Sequence, residues 1–297
     1  MMGNKKIGLG TVQWGLPYGI ANQHGITSPE AVTKLLTAAR SLGIETLDTA
    51  SLYGKSEAVL GENDLDGFKV ITKTPSFSSS RITTTGTNLL SETFYRSLNL
   101  LGVKKVYGLL IHHADNLLIP GGEKLVAEMI KLKNEDLVQK IGVSVYDGSQ
   151  IDSVLKVFNP DLVQLPLNVF DQRMLESGHL ELLKSLGTEI HARSAFLQGL
   201  LLMPLNDVPS FFKPIYPSLV RWNDAAREQG FTLHQAAIAF VKNIPYVDTI
   251  LVGLNSFPQL NSCLDSFSSD RKFDASELAC NDRIFVNPSL WKLNCPP

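Results

Sequence analysis

The chain of 297 residues has few cysteines, no run of positive charge and no long apolar stretch, and each lack removes a class of function. Cys263, Cys280 and Cys295 are odd in number and not at metal-ligand spacing. No metal site is expected, and scattered thiols fit a reducing cytoplasm better than a disulfide scaffold. The 27 Lys and Arg against 29 Asp and Glu leave a formal net charge of -2 with no basic cluster, so nucleic acid is not an expected partner. No apolar run approaches the roughly 18 residues that cross a bilayer, so no membrane is expected either. The opening Met1-Met-Gly-Asn-Lys-Lys-Ile7 is too short and too soon strand-like for a secretory signal. The chain also lacks a G-x-G-x-x-G at a strand-to-helix turn, which weighs against a doubly wound nucleotide fold. Gly8-Leu-Gly10-Thr-Val-Gln-Trp-Gly15 carries the glycines, but no helical pattern begins before Ser28, so it reads as strand and loop.

What is present is an alternation of two periods. Short apolar runs at 7–11, 46–48, 70–72, 107–112, 141–145, 162–165, 189–193 and 249–252 lack strict polar alternation, as strands buried on both faces do. Helical patterns lie between them. One opens at Ser28-Pro29-Glu30, with an N-cap serine, a proline in the first turn and an early carboxylate, and closes at Gly43. Others fall at 88–101, 123–133, 148–158, 175–186, 218–229 and 233–242. Eightfold strand–helix alternation predicts an α/β fold, the (β/α)8 TIM barrel, as a single domain over residues 1–297. Two long loops, 74–88 and the proline- and aromatic-rich 198–217, follow strands and are expected at the C-terminal face, the second as a candidate cover over a ligand.

In such a barrel the C-terminal strand ends converge on the site. Asp48, Lys73, His112, Ser144, Gln164, Arg193 and Gly253 all fall at or just past the ends of successive proposed strands, a register that scattered surface polar residues would not keep. Each has a bland reading when taken singly. Asp48 can cap a short helix, Tyr53 can be a surface aromatic, Lys73 a solvated charge and His112 a satisfied core histidine. Their order and spacing favour the joint reading. A phenol is a poor acid near neutrality unless a cation lies beside it, and Lys73 with Asp48 to hold it provides one. His113, next to His112, is expected to point away from the barrel axis.

Asp48-Thr-Ala-Ser-Leu-Tyr53-Gly-Lys-Ser-Glu57 with Leu60-Gly61, Lys73, and Ile111-His112-His-Ala-Asp115 resemble the signature of the aldo-keto reductases, and the resemblance extends over nearly the whole chain. It implies Tyr53, Lys73, Asp48 and His112 as the catalytic tetrad. Tyr53 is the general acid, Lys73 and Asp48 support it, and His112 orients the carbonyl. It implies Ser144 and Gln164 as partners of a nicotinamide carboxamide, Arg193 beside the ring, Gly253, Asn255 and Ser256 in a phosphate-binding turn, and Ser194 and Gln259 as further cofactor-binding residues. Two departures stand out. Arg193 replaces the tyrosine that many relatives stack on the nicotinamide, and Asn255 replaces a basic residue often used for the 2′-phosphate. Cys263 also stands where an adenine-contacting asparagine is common. NADPH is the expected cofactor, with NADH as the alternative. The expected substrate is a small-molecule carbonyl compound, an aldehyde or ketone. A likeness of residues 18–22 and 193–199 to a bacterial subset linked to surface sugars points to a sugar derivative. Trp14, Tyr18, Phe170, Phe196 and Trp291 are candidate pocket walls. A sugar dehydrogenase working oxidatively and a nucleotide-binding regulatory subunit are the alternatives. Oligomeric state is not legible from the chain.

Overall fold

The computed structural model describes residues 6–291. Residues 1–5 and Cys295 lie outside the described residues. Eight parallel strands close into a barrel in sequence order: β1 (Ile7–Gly10), β2 (Thr46–Asp48), β3 (Lys69–Lys73), β4 (Val106–Ile111), β5 (Val138–Ser144), β6 (Leu162–Pro166), β7 (Glu189–Arg193) and β8 (Thr249–Gly253), with β8 pairing back onto β1. This is the expected (β/α)8 architecture, and every expected strand is found. β5 starts three residues earlier than its apolar run, because Gln139 and Lys140 are polar at the entrance of the strand.

The helices are α1 (Pro29–Ser41), α2 (Ser56–Gly61), α3 (Thr84–Leu101), α4 (Asp115–Leu118), α5 (Glu123–Asn134), α6 (Gly148–Val154), α7 (Arg173–Glu176), α8 (His179–Ser185), α9 (Tyr216–Glu228), α10 (Leu233–Lys242), α11 (Phe257–Ser268) and α12 (Arg283–Val286). In α1 the Ser28 hydroxyl accepts from the Ala31 N–H, Pro29 opens the first turn, and Val32, Leu35, Leu36 and Ala39 form the buried stripe. Burying a large aliphatic side chain contributes about 1.5–3 kcal/mol, so this stripe, not helix propensity, fixes α1. The single helix expected over 175–186 is two, α7 and α8, broken at Gly178 with φ 76°. α3 begins at Thr84, four residues before Asn88, and α9 takes Pro217 into its first turn, where no N–H is missed.

Alternation along the strands divides the barrel lumen into three tiers. Ile71, Leu110 and Leu162 form an apolar cluster of their own, separate from the main core between barrel and helices. Two residues further along the same faces come Lys73, His112 and Gln164, at the C-terminal end. At the other end, around the strand starts, lie Lys69, Tyr107, Lys140 and Glu189. Among the described residues no helix is long and apolar enough to cross a membrane, and no three His, Cys, Asp or Glu are gathered as a metal site.

Candidate active site

The C-terminal tier is built around one buried ion pair. Lys73 Nζ lies 2.7 Å from both carboxylate oxygens of Asp48, donates to Thr49 O at 2.9 Å, and reaches the Tyr53 hydroxyl at 3.4 Å. The Lys73 side chain is 0% and that of Asp48 6% exposed, so each charge depends on the other for its solvation. Gln164 Nε2 gives Asp48 a further donor at 2.7 Å. Gln164 is thus partly committed: its amide nitrogen serves the carboxylate and its oxygen is left to meet a ligand.

Tyr53 is carried by a tight turn after β2, in which the Tyr53 N–H donates to Ala50 O and the Ser56 N–H to Tyr53 O, each at 3.0 Å. Two glycines allow the turn to pack against the loop after β1. A Cβ on Gly15 would stand 1.9 Å from Tyr53 O, and Gly54 has φ 56° with room for no Cβ against Gly15 O. The rest of the motif is structural. Ser56 Oγ lies 2.7 Å from Thr11 Oγ1 and 3.1 Å from Thr49 Oγ1, tying the ends of β1 and β2 to α2. Glu57 accepts from Thr72 Oγ1 at 2.6 Å and Ser97 Oγ at 3.0 Å, tying α2 to β3 and α3.

Electrostatics assign protonation states. Burial, with the Asp48 charge, pushes the Tyr53 phenol well above its ordinary value, so it stays protonated. The opposing Arg193 charge does not overcome this, so the lowering expected from a neighbouring cation is not seen in the free protein. Burial lowers Lys73, with Asp48 acting against it. Burial, then Lys73, His113 and Arg193, lowers His112 to about 2, so the imidazole is neutral. The rings of Tyr53 and His112 meet edge-on at 5.7 Å. His113 stacks its ring on that of His112 at 4.8 Å and is not among the residues that line the cavity described below.

A cavity of about 840 Å³ runs from this cluster to the start of α11. Asp48, Tyr53, His112, Ser144, Gln164, Arg193, Ser194, Gly253, Asn255 and Gln259 line it. Lys73 stands behind Tyr53, out of the cavity, and Ser256 is the N-cap residue of α11 rather than part of the wall. The size and donor set fit a dinucleotide. Gln13 Oε1 on the wall and His112 Nδ1 are buried without partners. Gly253 presents bare backbone, since a Cβ there would displace Gln13, 2.5 Å away. The 12-residue α11 has no side-chain cap at Ser256, leaving its first-turn N–H groups as anion donors. Asn255 is held at the turn by Thr27 Oγ1 at 3.1 Å and by its own donation to Asn22 Oδ1 at 3.3 Å, while its N–H donates to Gln259 Oε1 at 2.7 Å.

The expected aromatic walls divide. Tyr18 and Phe196 line the cavity, Phe196 packed on His234 at 4.7 Å. Trp14 does not: it is fully buried with Nε1 donating to Leu254 O, because the turn after β1 folds it into the core. Phe170 is likewise fully buried in the core, and Trp291 packs on Phe212 at 4.9 Å. Of the long loops, 198–217 does reach the cavity through Leu202, Met203, Pro204 and Asp207. Residues 74–83 instead bond to the segment after β4, through Ile82 N–H to Pro120 O and Asn116 Nδ2 to Phe77 O. Gln13, Tyr146, Gln198 and His234 are wall residues that the sequence did not single out; Gln13 and Tyr146 follow strand ends and were accessible to that rule. The loop after β7 is backbone-strained, with positive φ at Ser194, Leu197 and Gln198 as well as Gly199, and strain of this kind gathers at ligand sites.

The fold resembles that of the aldo-keto reductase AKR11C1 from Bacillus halodurans, with TM-score 0.73 and 19% identity over 92% of this chain and 89% of that one. It also resembles the glycerol dehydrogenase AKR11B4 from Gluconobacter oxydans, with TM-score 0.69 and 21% identity over 94% and 91%. At such identities the likeness is one of fold. No curated protein sequence matches the chain. The sequence profile of the aldo/keto reductase family matches residues 6–284, so the chain belongs to that family of NAD(P)H-dependent oxidoreductases of carbonyl compounds.

Proposed function

We propose that the protein reduces an aldehyde or ketone with Tyr53 as the proton donor. The observation that carries this reading is the Tyr53 hydroxyl on the cavity wall, 3.4 Å from a Lys73 Nζ that the buried Asp48 carboxylate holds in place. When bound, the reduced dinucleotide supplies the hydride. Tyr53 gives its proton to the oxygen as negative charge develops there, and Lys73, fixed by Asp48 and Thr49 O, steadies the phenolate left behind. Neutral His112 donates a hydrogen bond to the same oxygen and sets the carbonyl carbon toward the donor. In this reading Ser144 and the oxygen of Gln164, neighbours on adjacent strands, hold the carboxamide and the uncapped start of α11 receives phosphate.

The resemblance favours NADPH. Among the described cavity-lining residues, however, Arg193 is the one Lys or Arg, and the turn at Asn255 is neutral, so NADH is proposed to bind comparably. A sugar-derived carbonyl or a small polyol-related one is the proposed substrate class. It rests on the polar wall of Tyr18, Gln198 and Asp207 and on the glycerol dehydrogenase among the fold relatives.

The test is a fluorescence titration of wild type and Tyr53→Phe with NADPH and NADH, followed by turnover on aldoses, ketoses and simple aldehydes. Dinucleotide binding unchanged in the variant, with kcat reduced by about 10²–10⁴, is the expected result. Activity retained in Tyr53→Phe would assign the proton to another group.

A further inference from the structure

Arg193 ends β7 and lies in register with Pro166, two residues past Gln164 on β6. Its guanidinium stacks on Tyr146, Cζ 4.3 Å from the ring centroid, and Nη2 donates to Val145 O at 3.1 Å. Nη1 reaches only Ser194 Oγ, at 3.4 Å. Among the described residues it forms no ion pair, whereas the other charges of this tier, Asp48 and Lys73, neutralise each other. With His112 neutral, the reaction end of the cavity carries one unbalanced positive charge. One face of that charge is covered by Tyr146 and the guanidinium lines the cavity.

The proposed reading places a nicotinamide across the ends of β5, β6 and β7. Its carboxamide meets Ser144 and Gln164, and its reacting carbon must come within about 3–3.5 Å of a carbonyl held by Tyr53 and His112. The next strand end along that path is Arg193. Reduction breaks the C4–H bond of the dihydropyridine and forms a C–H bond at the carbonyl carbon. The carbonyl π pair takes the Tyr53 proton, and the ring passes from neutral to a pyridinium of charge +1. The rest of the dinucleotide does not change charge. We propose that Arg193 makes this site discriminate between the two oxidation states of the cofactor, retaining the neutral reduced ring and disfavouring the cationic oxidised one. Two consequences follow for the proposed reaction. Spent cofactor leaves readily in the reductive direction, and the equilibrium between bound complexes lies further toward carbonyl and reduced cofactor than it does in solution.

Because both forms share every other contact, the ratio of their dissociation constants isolates the ring environment. The experiment is calorimetric titration of wild type, Arg193→Met and Arg193→Lys with NADH, NAD⁺, NADPH and NADP⁺ at fixed ionic strength. Wild type is expected to favour the reduced form by about tenfold or more over the ratio in Arg193→Met, given like charges a few ångströms apart in a half-buried site. Arg193→Lys is expected to keep most of the ratio while binding both forms more weakly, since it keeps the charge and loses the flat surface. Equal ratios in wild type and Arg193→Met overturn the proposal. So does a wild-type ratio near one, which needs no variant. Failure of wild type to bind either form would overturn the reductase reading itself, whereas binding of both with an Arg193-independent ratio defeats this inference alone.

Discussion

The two ends of the barrel lumen hold nearly the same set of side chains and use it differently. At the C-terminal end stand Lys73, Asp48, Tyr53 and His112; at the N-terminal end stand Lys140, Glu189, Tyr107 and His191. In the N-terminal cluster the phenol donates directly to the carboxylate, Tyr107 Oη to Glu189 Oε2 at 2.6 Å. Lys140 bonds the same oxygen and His191 Nε2 meets Oε1 at 2.7 Å. The phenol proton there is spent inside the cluster, and burial with that bond raises Tyr107 to about 12. In the C-terminal cluster the carboxylate is taken by Lys73 and Gln164, the phenol hydroxyl hydrogen-bonds only to the ammonium among the described residues, and a cavity opens in front of it. Shifted pKa values therefore mark both ends, and what distinguishes a site from a staple is a donor left over and a space for something to receive it.

The largest expected effect comes from breaking the C-terminal pair. Lys73→Met keeps the stem volume but strands the Asp48 carboxylate, with Gln164 as its remaining side-chain donor. Removing one member of a buried ion pair costs about 3–5 kcal/mol, and loss of the ammonium beside the acid should reduce kcat by about 10²–10⁴. Urea unfolding and steady-state kinetics on the same preparation measure both. A stable variant with near wild-type kcat would place the proton donor elsewhere.

Glu189→Gln is the counterpart at the other end, and it should affect stability alone. Burial by itself would raise Glu189, but bonds from His191, Lys140 and Tyr107 hold its carboxyl well below the usual range. A depressed folded value means the stabilisation is present above the ordinary glutamate pKa of about 4.3 and is lost as pH falls through the folded value. The Glu189 side chain is 16% and Lys140 28% exposed, so about 2 kcal/mol is expected at pH 7, less than for a fully dry pair. The variant should unfold earlier at neutral pH, converge with wild type in strong acid, and keep kcat per folded molecule. A kcat loss like that of Lys73→Met would erase the distinction between the two ends.

The C-terminal half of this contrast was legible in the chain. Strand ends are marked by apolar runs stopping at Asp48, His112, Ser144, Gln164 and Arg193, and barrel closure turns that one-dimensional register into a ring of side chains. The aromatic walls were not legible. Trp14 and Phe170 carry the same composition signal as Phe196, and only tertiary packing decides that the first two go inward to the core. The Gln164–Asp48 bond was equally hidden, since it joins strands 116 residues apart in sequence. The N-terminal cluster went unseen because attention to strand ends passes over the polar residues at strand starts, Lys140 and Glu189.

The smallest effect tests a third buried carboxylate that has no lysine bonded to it. Glu57 is 5% exposed and its partners are hydroxyls, Thr72 and Ser97. Burial outweighs those bonds and raises its pKa, the reverse of Glu189. A raised folded value means the contribution is fully present below the unfolded pKa and is lost as pH rises through the folded one. Glu57→Gln removes that dependence, since glutamine can accept from Thr72 and donate to Ser97 without carrying charge. Its stability should lie within about 1 kcal/mol of wild type at pH 7, with the variant gaining relative to wild type from acid toward neutrality. Chemical denaturation from pH 4 to 8 gives the slope. A variant that instead loses ground as pH rises would mean that Glu57 is stabilised as an anion, and that hydroxyls alone serve a buried carboxylate as well as an ammonium does.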